Sequence, residues 1–201
     1  MAEGDTMRHK SRLGLLLAVT MYGATGHTQQ GEKPLQREQS SFSMEQEIVP
    51  IEKPVTLPGG ALQALEKDTD VSSCMENANV SSGQLPSSWF VGSQIHLEGP
   101  GEMDLIVLPR NLGATQSMHP APNACFFGPY TAKFWVLRMT REGYELALSV
   151  HTHGLGVLKT RWKGYRDIET AISSLNGSTT TLYRFDGQHY KSYSARSESV
   201  R

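Results

Sequence analysis

Long apolar runs, dense charge and catalytic signatures are all scarce in this chain of 201 residues. The apolar stretch Leu13 through Met21 spans about nine residues, against the roughly 20 that a bilayer-spanning helix needs. Charged residues make up 19% and the formal net charge is −1, so no global field points to nucleic acid or to a membrane surface. No Gly-x-Ser-x-Gly elbow, no Gly-x-x-x-x-Gly-Lys-Ser/Thr loop and no Gly-x-Gly-x-x-Gly between a strand and a helix occurs. The sequence therefore carries no signature of an α/β-hydrolase, a P-loop nucleotide enzyme or a dinucleotide-binding fold. With only two cysteines, a structural zinc site lacks ligands.

The N-terminus reads as an export signal. Arg8, Lys10 and Arg12 precede Leu13-Gly14-Leu15-Leu16-Leu17-Ala18-Val19, and Ala24-Thr25-Gly26 offers small residues for cleavage, with Met7 as an alternative start. Residues 1–26 are thus expected to be a signal peptide, leaving no stable membrane span after its removal. An exported protein in an oxidising compartment favours a disulfide between Cys74 and Cys125, the other reading being two separate buried thiols. Residues 27–47 are polar and read as a flexible tether. Residues 48–84 form a helical lead-in, where Ala61, Leu62 and Leu65 fall at helical spacing and Asp68 or Asp70 caps a second turn leading to Cys74.

From residue 85 the texture changes to strands. The duplication is the strongest signal: Gly101-x-x-Asp104 is echoed by Gly164-x-x-Asp167, and Trp135 through Arg138 to Tyr144 by Thr181 through Arg184 to Tyr190. In each copy an Arg precedes a Tyr across a Gly-containing turn. Asn176-Gly177 and Asp186-Gly187 accept the positive φ of tight hairpins. The expectation is a mainly β domain over 85–195, about eight strands in antiparallel hairpins arranged as two imperfect repeats, in a small sandwich or stacked sheets with the helical segment on one face, then a tail at 196–201. The loop from Asn111 to Pro129 makes the first copy the longer one.

The set Trp89-Phe90, Gly101-x-x-Asp104, Phe134-Trp135, Gly143-Tyr144, Gly164-Tyr165-Arg166-Asp167-Ile168 and Tyr183-Arg184-Phe185-Asp186-Gly187 resembles uncharacterised secreted bacterial β-repeat proteins. More remotely it is similar to repeats of the FG-GAP and VCBS type. That resemblance covers roughly residues 85–193 and implies fold rather than activity. The Asp-x-Asp-x-Asp-Gly loop of the calcium-binding members is missing here, so it implies no calcium site and no cofactor.

Three sets of residues carry candidate chemistry. Lys159, Arg161 and Lys163, followed by Arg166, alternate with Leu158, Thr160 and Trp162 and form a basic face suited to an anionic polymer, or a solvated face that discourages edge pairing. His151 and His153, at i and i+2 of a strand, present two imidazoles for one metal if His96, Glu98 or Asp104 supplies a third ligand. Asp104 and Asp167 match between copies, as structural carboxylates that fix turns do. These features point to a secreted or periplasmic, non-catalytic binding module of the cell envelope, with an envelope protein or anionic polysaccharide as partner and no nucleic acid. The alternative is a secreted hydrolase, metal-dependent through His151 and His153; an inhibitor inserting its 111–129 loop is a further reading.

Overall fold

The computed structural model describes residues 38–44, 49–99, 101, 103–111 and 121–199. The signal segment and most of the tether lie outside them, as does the middle of the 111–129 loop. The body is two antiparallel sheets. The first holds β2 (Phe90–Ile95), β3 (Asp104–Pro109), β4 (Ala132–Thr140) and β5 (Gly143–Thr152), in that order. The second adds β1 (Ser41–Ser43) to a run of β6 (Gly154–Trp162), β7 (Tyr165–Ser174), β8 (Gly177–Phe185) and β9 (Tyr190–Ser199). Each sheet is a hairpin meander, the architecture that the turn dipeptides imply. The chain passes from one sheet to the other at His153, between Thr152 and Gly154.

The duplication holds at the level of register. Leu105 faces Leu137 in the first sheet, and the matching residues Ile168 and Tyr183 face each other in the second. Both copies also carry a bulge at the same place. Pairing slips after Val136 so that Ala147 is extra, and after Leu182 so that Tyr193 is extra. The sheets stack the same way round rather than mirror-fashion. Leu105 and Leu137 face the helices, whereas Ile168 and Tyr183 face the first sheet. Sandwich-facing Ile106 and Val136 of the first copy therefore correspond to Glu169 and Leu182 on the outer face of the second.

The first sheet is buried on both faces, and every residue of β3 is buried. One face packs into the sandwich core with Phe42, Ile95, Phe134, Leu155, Ile168 and Phe185. The other is covered by α1 (Gly59–Leu65), α2 (Thr69–Asn77) and α3 (Ala121–Phe126). At its centre Trp135 meets Phe90 and Phe126 edge-on, with centroids at 5.4 and 5.2 Å, contacts worth about 0.5–1.5 kcal/mol each beyond area burial. Asp68 caps α2 by accepting from the amides of Asp70 and Val71. Cys74 of α2 is bonded to Cys125 of α3, so the long loop is stapled to the helical layer.

Four expectations change. Residues 41–43 belong to the body, not to a tether: Ser41-Phe42-Ser43-Met44 alternates with period two, and Phe42 and Met44 are buried. Part of the 111–129 loop is helical as α3, and β9 runs past residue 195 to Ser199. Lys163 leaves the strand. It sits with Gly164 in the β6–β7 turn, with φ of 51° and 90°, the left-handed pair that a tight hairpin demands.

Asp104 and Asp167 are both buried but are not equally committed. Asp104 accepts from the amides of Leu97 at 2.8 Å and Met139 at 2.9 Å, joining the β2–β3 connection to the end of β4. Asp167 accepts the Thr160 hydroxyl at 2.8 Å and lies 3.6 Å from Arg184 Nε, beyond hydrogen-bond range. Two stability measurements follow. Asp104→Ala strands two amides at about 1–3 kcal/mol each, and in urea unfolding it should lose at least about 1 kcal/mol more than Asp167→Ala; equal losses would refute the distinction. Cys74→Ala with Cys125→Ala should lose roughly 2–4 kcal/mol by the same measurement, because it reopens a long loop in the unfolded chain.

Candidate functional site

The basic face of the sequence is divided by the structure. Pairing in β6 slips between Val157 and Arg161, which breaks the alternation on which that face depended. Arg161 donates to the carbonyl oxygens of Leu97, Glu98 and Gly164 and straps β6 to the β2–β3 connection. Arg166 donates to the carbonyls of Leu158 and Val157, both within 2.9 Å, and pairs with Glu38. Burial alone would raise the Glu38 carboxyl, but bonds from His96 and Arg166 overcome that and hold it below its usual range. Arg166 thus satisfies backbone left open by the bulge and Arg161 that of the β2–β3 connection and the β6–β7 turn, while Lys159 and Lys163 remain exposed.

His151 and His153 go to different partners. His151 Nε2 lies 3.5 Å from Asp70, and His153 Nδ1 meets the Tyr130 carbonyl at 3.2 Å. His153 falls at the corner between sheets, so the same-face rule of a strand does not reach it. His96 binds Glu38, and Glu98 lies 3.6 Å from Arg138. Among the described residues no group of three His, Cys, Asp or Glu side chains is arranged to hold a metal ion.

His151 belongs instead to a polar cluster joining α2 to β4 and β5. Lys133, buried in the otherwise apolar run of β4, pairs with Asp70 and lies 4.0 Å from Asp68. The Ser149 hydroxyl donates to Asp68 at 2.5 Å. A lone Lys in Ala132-Lys133-Phe134-Trp135 was the available signal, since a buried ammonium requires an acid. Ser149 gave none.

An opening adjoins this cluster at Ser149. A groove of about 580 Å³ runs along β5 from Glu145 to Ser149, between Lys67 on one side and the β8–β9 turn, Gln188 to Lys191, on the other. Because the repeats stack the same way round, the edge strands β5 and β9 lie on one side of the body. β5 is the outermost strand of its sheet, so its outward backbone groups have no ladder partner among the described residues. The turn wall is fixed by Asp186, which accepts from the amides of Gln188 and His189 at 2.8 Å each. Tyr190 anchors its base, buried, with its hydroxyl donating to the Arg166 carbonyl at 2.9 Å. Glu145 is held by Arg138 at 2.9 Å. Lys67 and Lys191 are exposed and have no ion-pair partner among the described residues. The groove therefore combines a sheet edge that is free among the described residues with two ammonium groups in no close ion pair, Lys191 lying in the field of the Asp186 carboxylate.

The outer face of the second sheet is different in kind. Arg184 lies with its guanidinium 4.9 Å from the Trp162 ring centroid and 3.7 Å from that of Tyr193. Its counterpart Arg138 sits 4.9 Å from Phe185 and 5.8 Å from Tyr165, residues of the neighbouring sheet.

The cluster at α2 titrates. Partial burial and the Lys133 ammonium lower the His151 pKa below its ordinary 6.5, outweighing Asp70. The Lys133 hydrogen bond holds Asp70 below its ordinary 3.8. In both cases the unfolded chain binds the proton first, so stability is present above the unfolded value and falls as pH drops towards the folded one. The urea midpoint should decline as pH is lowered from 7.5 through 6.5, and His151→Asn should remove that step; a midpoint insensitive to His151→Asn over this range would refute it.

No family model, no curated protein and no solved structure matches the chain.

Proposed function

We propose that the protein is an exported, non-catalytic binding module of the cell envelope, and that the groove along β5 receives a segment of a partner protein. The observation that carries this reading is the open groove itself, floored by an unpaired strand edge and flanked by Lys67 and Lys191. Export is supported by the basic and apolar N-terminal sequence and by the Cys74–Cys125 bond, which belongs to oxidising compartments. No helix among the described residues is long and apolar enough to cross a membrane. The chemistry of a hydrolase draws less support, since His96, His151 and His153 are engaged with Glu38, Asp70 and a carbonyl rather than with a nucleophile.

The groove and the exposed lysines of β6 and its turn make separable predictions. Lys67→Glu with Lys191→Glu should abolish retention of the protein on isolated envelope material, and Lys159→Glu with Lys163→Glu should leave it within about twofold, as expected of exposed charges outside a contact. Retention lost only in the second pair would overturn the groove in favour of an anionic polymer on the β6–β7 turn.

A further inference from the structure

Resting on that reading, the geometry points to a mode of recognition: an extended acidic peptide segment that adds as a fifth strand to the free edge of β5. Four features support it. First, β5 is the edge of a sheet whose β3 and most of β4 are buried, so the edge is already in strand conformation before a partner arrives. Strand addition supplies main-chain hydrogen bonds for affinity and leaves alternate side chains to read the walls. Second, the stretch from Glu145 to Ser149 that lines the groove spans about 17 Å when extended, enough for a short segment.

Third, the charges are one-sided. Lys67 stands on the helical wall and Lys191 on the turn wall, neither in an ion pair within 4 Å among the described residues; the acid that Lys191 and His189 feel is Asp186, whose carboxylate is taken up by the amides of its own turn. Glu145, the acid of the groove, is already neutralised by Arg138, and Asp68 is engaged with Ser149 and the α2 amides. A segment carrying acids at two successive positions turns one to each wall and meets a cation on either side of the strand, whereas a basic segment meets two repelling charges. Fourth, the bulge at Ala147 interrupts the edge. Bulged edges resist long, flat pairing between copies of a protein, so the site takes a short peptide and not a second β5.

A polysaccharide or other anionic polymer would meet the same lysines without needing the strand edge, and this separates the two experimentally. The probe is a fluorescent seven-residue peptide with Glu at its third and fourth positions and Thr or Val elsewhere, so that one Glu faces each wall, measured by anisotropy against the full chain. Its companions are the Lys-for-Glu peptide and two versions N-methylated at alternate residues, one in each phase. An added strand turns every second N–H to β5, so one methylated phase should lose at least about tenfold in affinity while the other binds like the parent, the loss of even two hydrogen bonds being of that size. The Lys peptide should bind at least about tenfold more weakly, and Lys67→Glu with Lys191→Glu should reverse the preference between Glu and Lys peptides. Equal effects of the two methylated phases, or equal binding of Glu and Lys peptides, would overturn strand addition. If no peptide binds but the Lys67/Lys191 variant still loses envelope retention, strand addition falls and the groove reading stands; if retention is also unchanged, both fall.

Discussion

Burial of the first sheet on both faces is the constraint from which the rest of the molecule follows. Strands β3 and β4 place apolar side chains alternately on either side, so the sheet has no face that water can solvate and needs a cover on each. The second repeat covers one. The helices cover the other, and they are held there by the Trp135 aromatic cluster, by the Lys133–Asp70 pair and by a disulfide that ties the long loop to α2. The extra length of the first copy and the helical lead-in thus serve a single need. A compact second copy has no such insertion because its outer face is polar enough to meet solvent.

Stacking the two copies the same way round has a second effect. It brings the edge of each sheet to the same side, and there the β8–β9 turn rises against β5 to close one wall of the groove while the α1–α2 connection closes the other. The opening is a by-product of the repeat geometry, and its charge comes from residues that pack nothing. Function, on this account, sits where the regular architecture leaves backbone unpaired, not in the duplicated positions themselves. The duplicated residues Asp104, Asp167, Arg138 and Arg184 are occupied in holding strands and rings together.

The fold was legible because its determinants are local and periodic. Turn dipeptides such as Asn176-Gly177 and the repeated Gly-x-x-Asp signal hairpins, and the two cysteines expected to pair are bonded. The site was less legible for equally physical reasons. Which side of a sheet is an edge depends on long-range pairing, so nothing in Glu145 to Ser149 announces an exposed ladder. Lys67 and Lys191 lie far apart in sequence and are brought to one opening by tertiary structure alone. The basic alternation at Lys159, Arg161 and Lys163 failed to form a continuous face because a bulge and a turn break period two there, and bulges leave little trace in a single sequence. Strand β1 was hidden by its brevity, since one Phe and one Met among serines carry a weak pattern.

Sheets that stack front to back have no natural end: each unit offers its successor the surface its predecessor offered it, and such a series grows into a fibre unless something different stands at both ends. In this chain the near end is a helical lid. At the far end Arg184 occupies the position from which Arg138 reaches into the next sheet, but it is met by Trp162 and by Tyr193, the extra bulge residue where the first copy has the small Ala147. Two rings of the same sheet, Trp162 and Tyr193, thereby take the seats that Tyr165 and Phe185 hold against Arg138, and the outer face of the second sheet is closed by its own side chains.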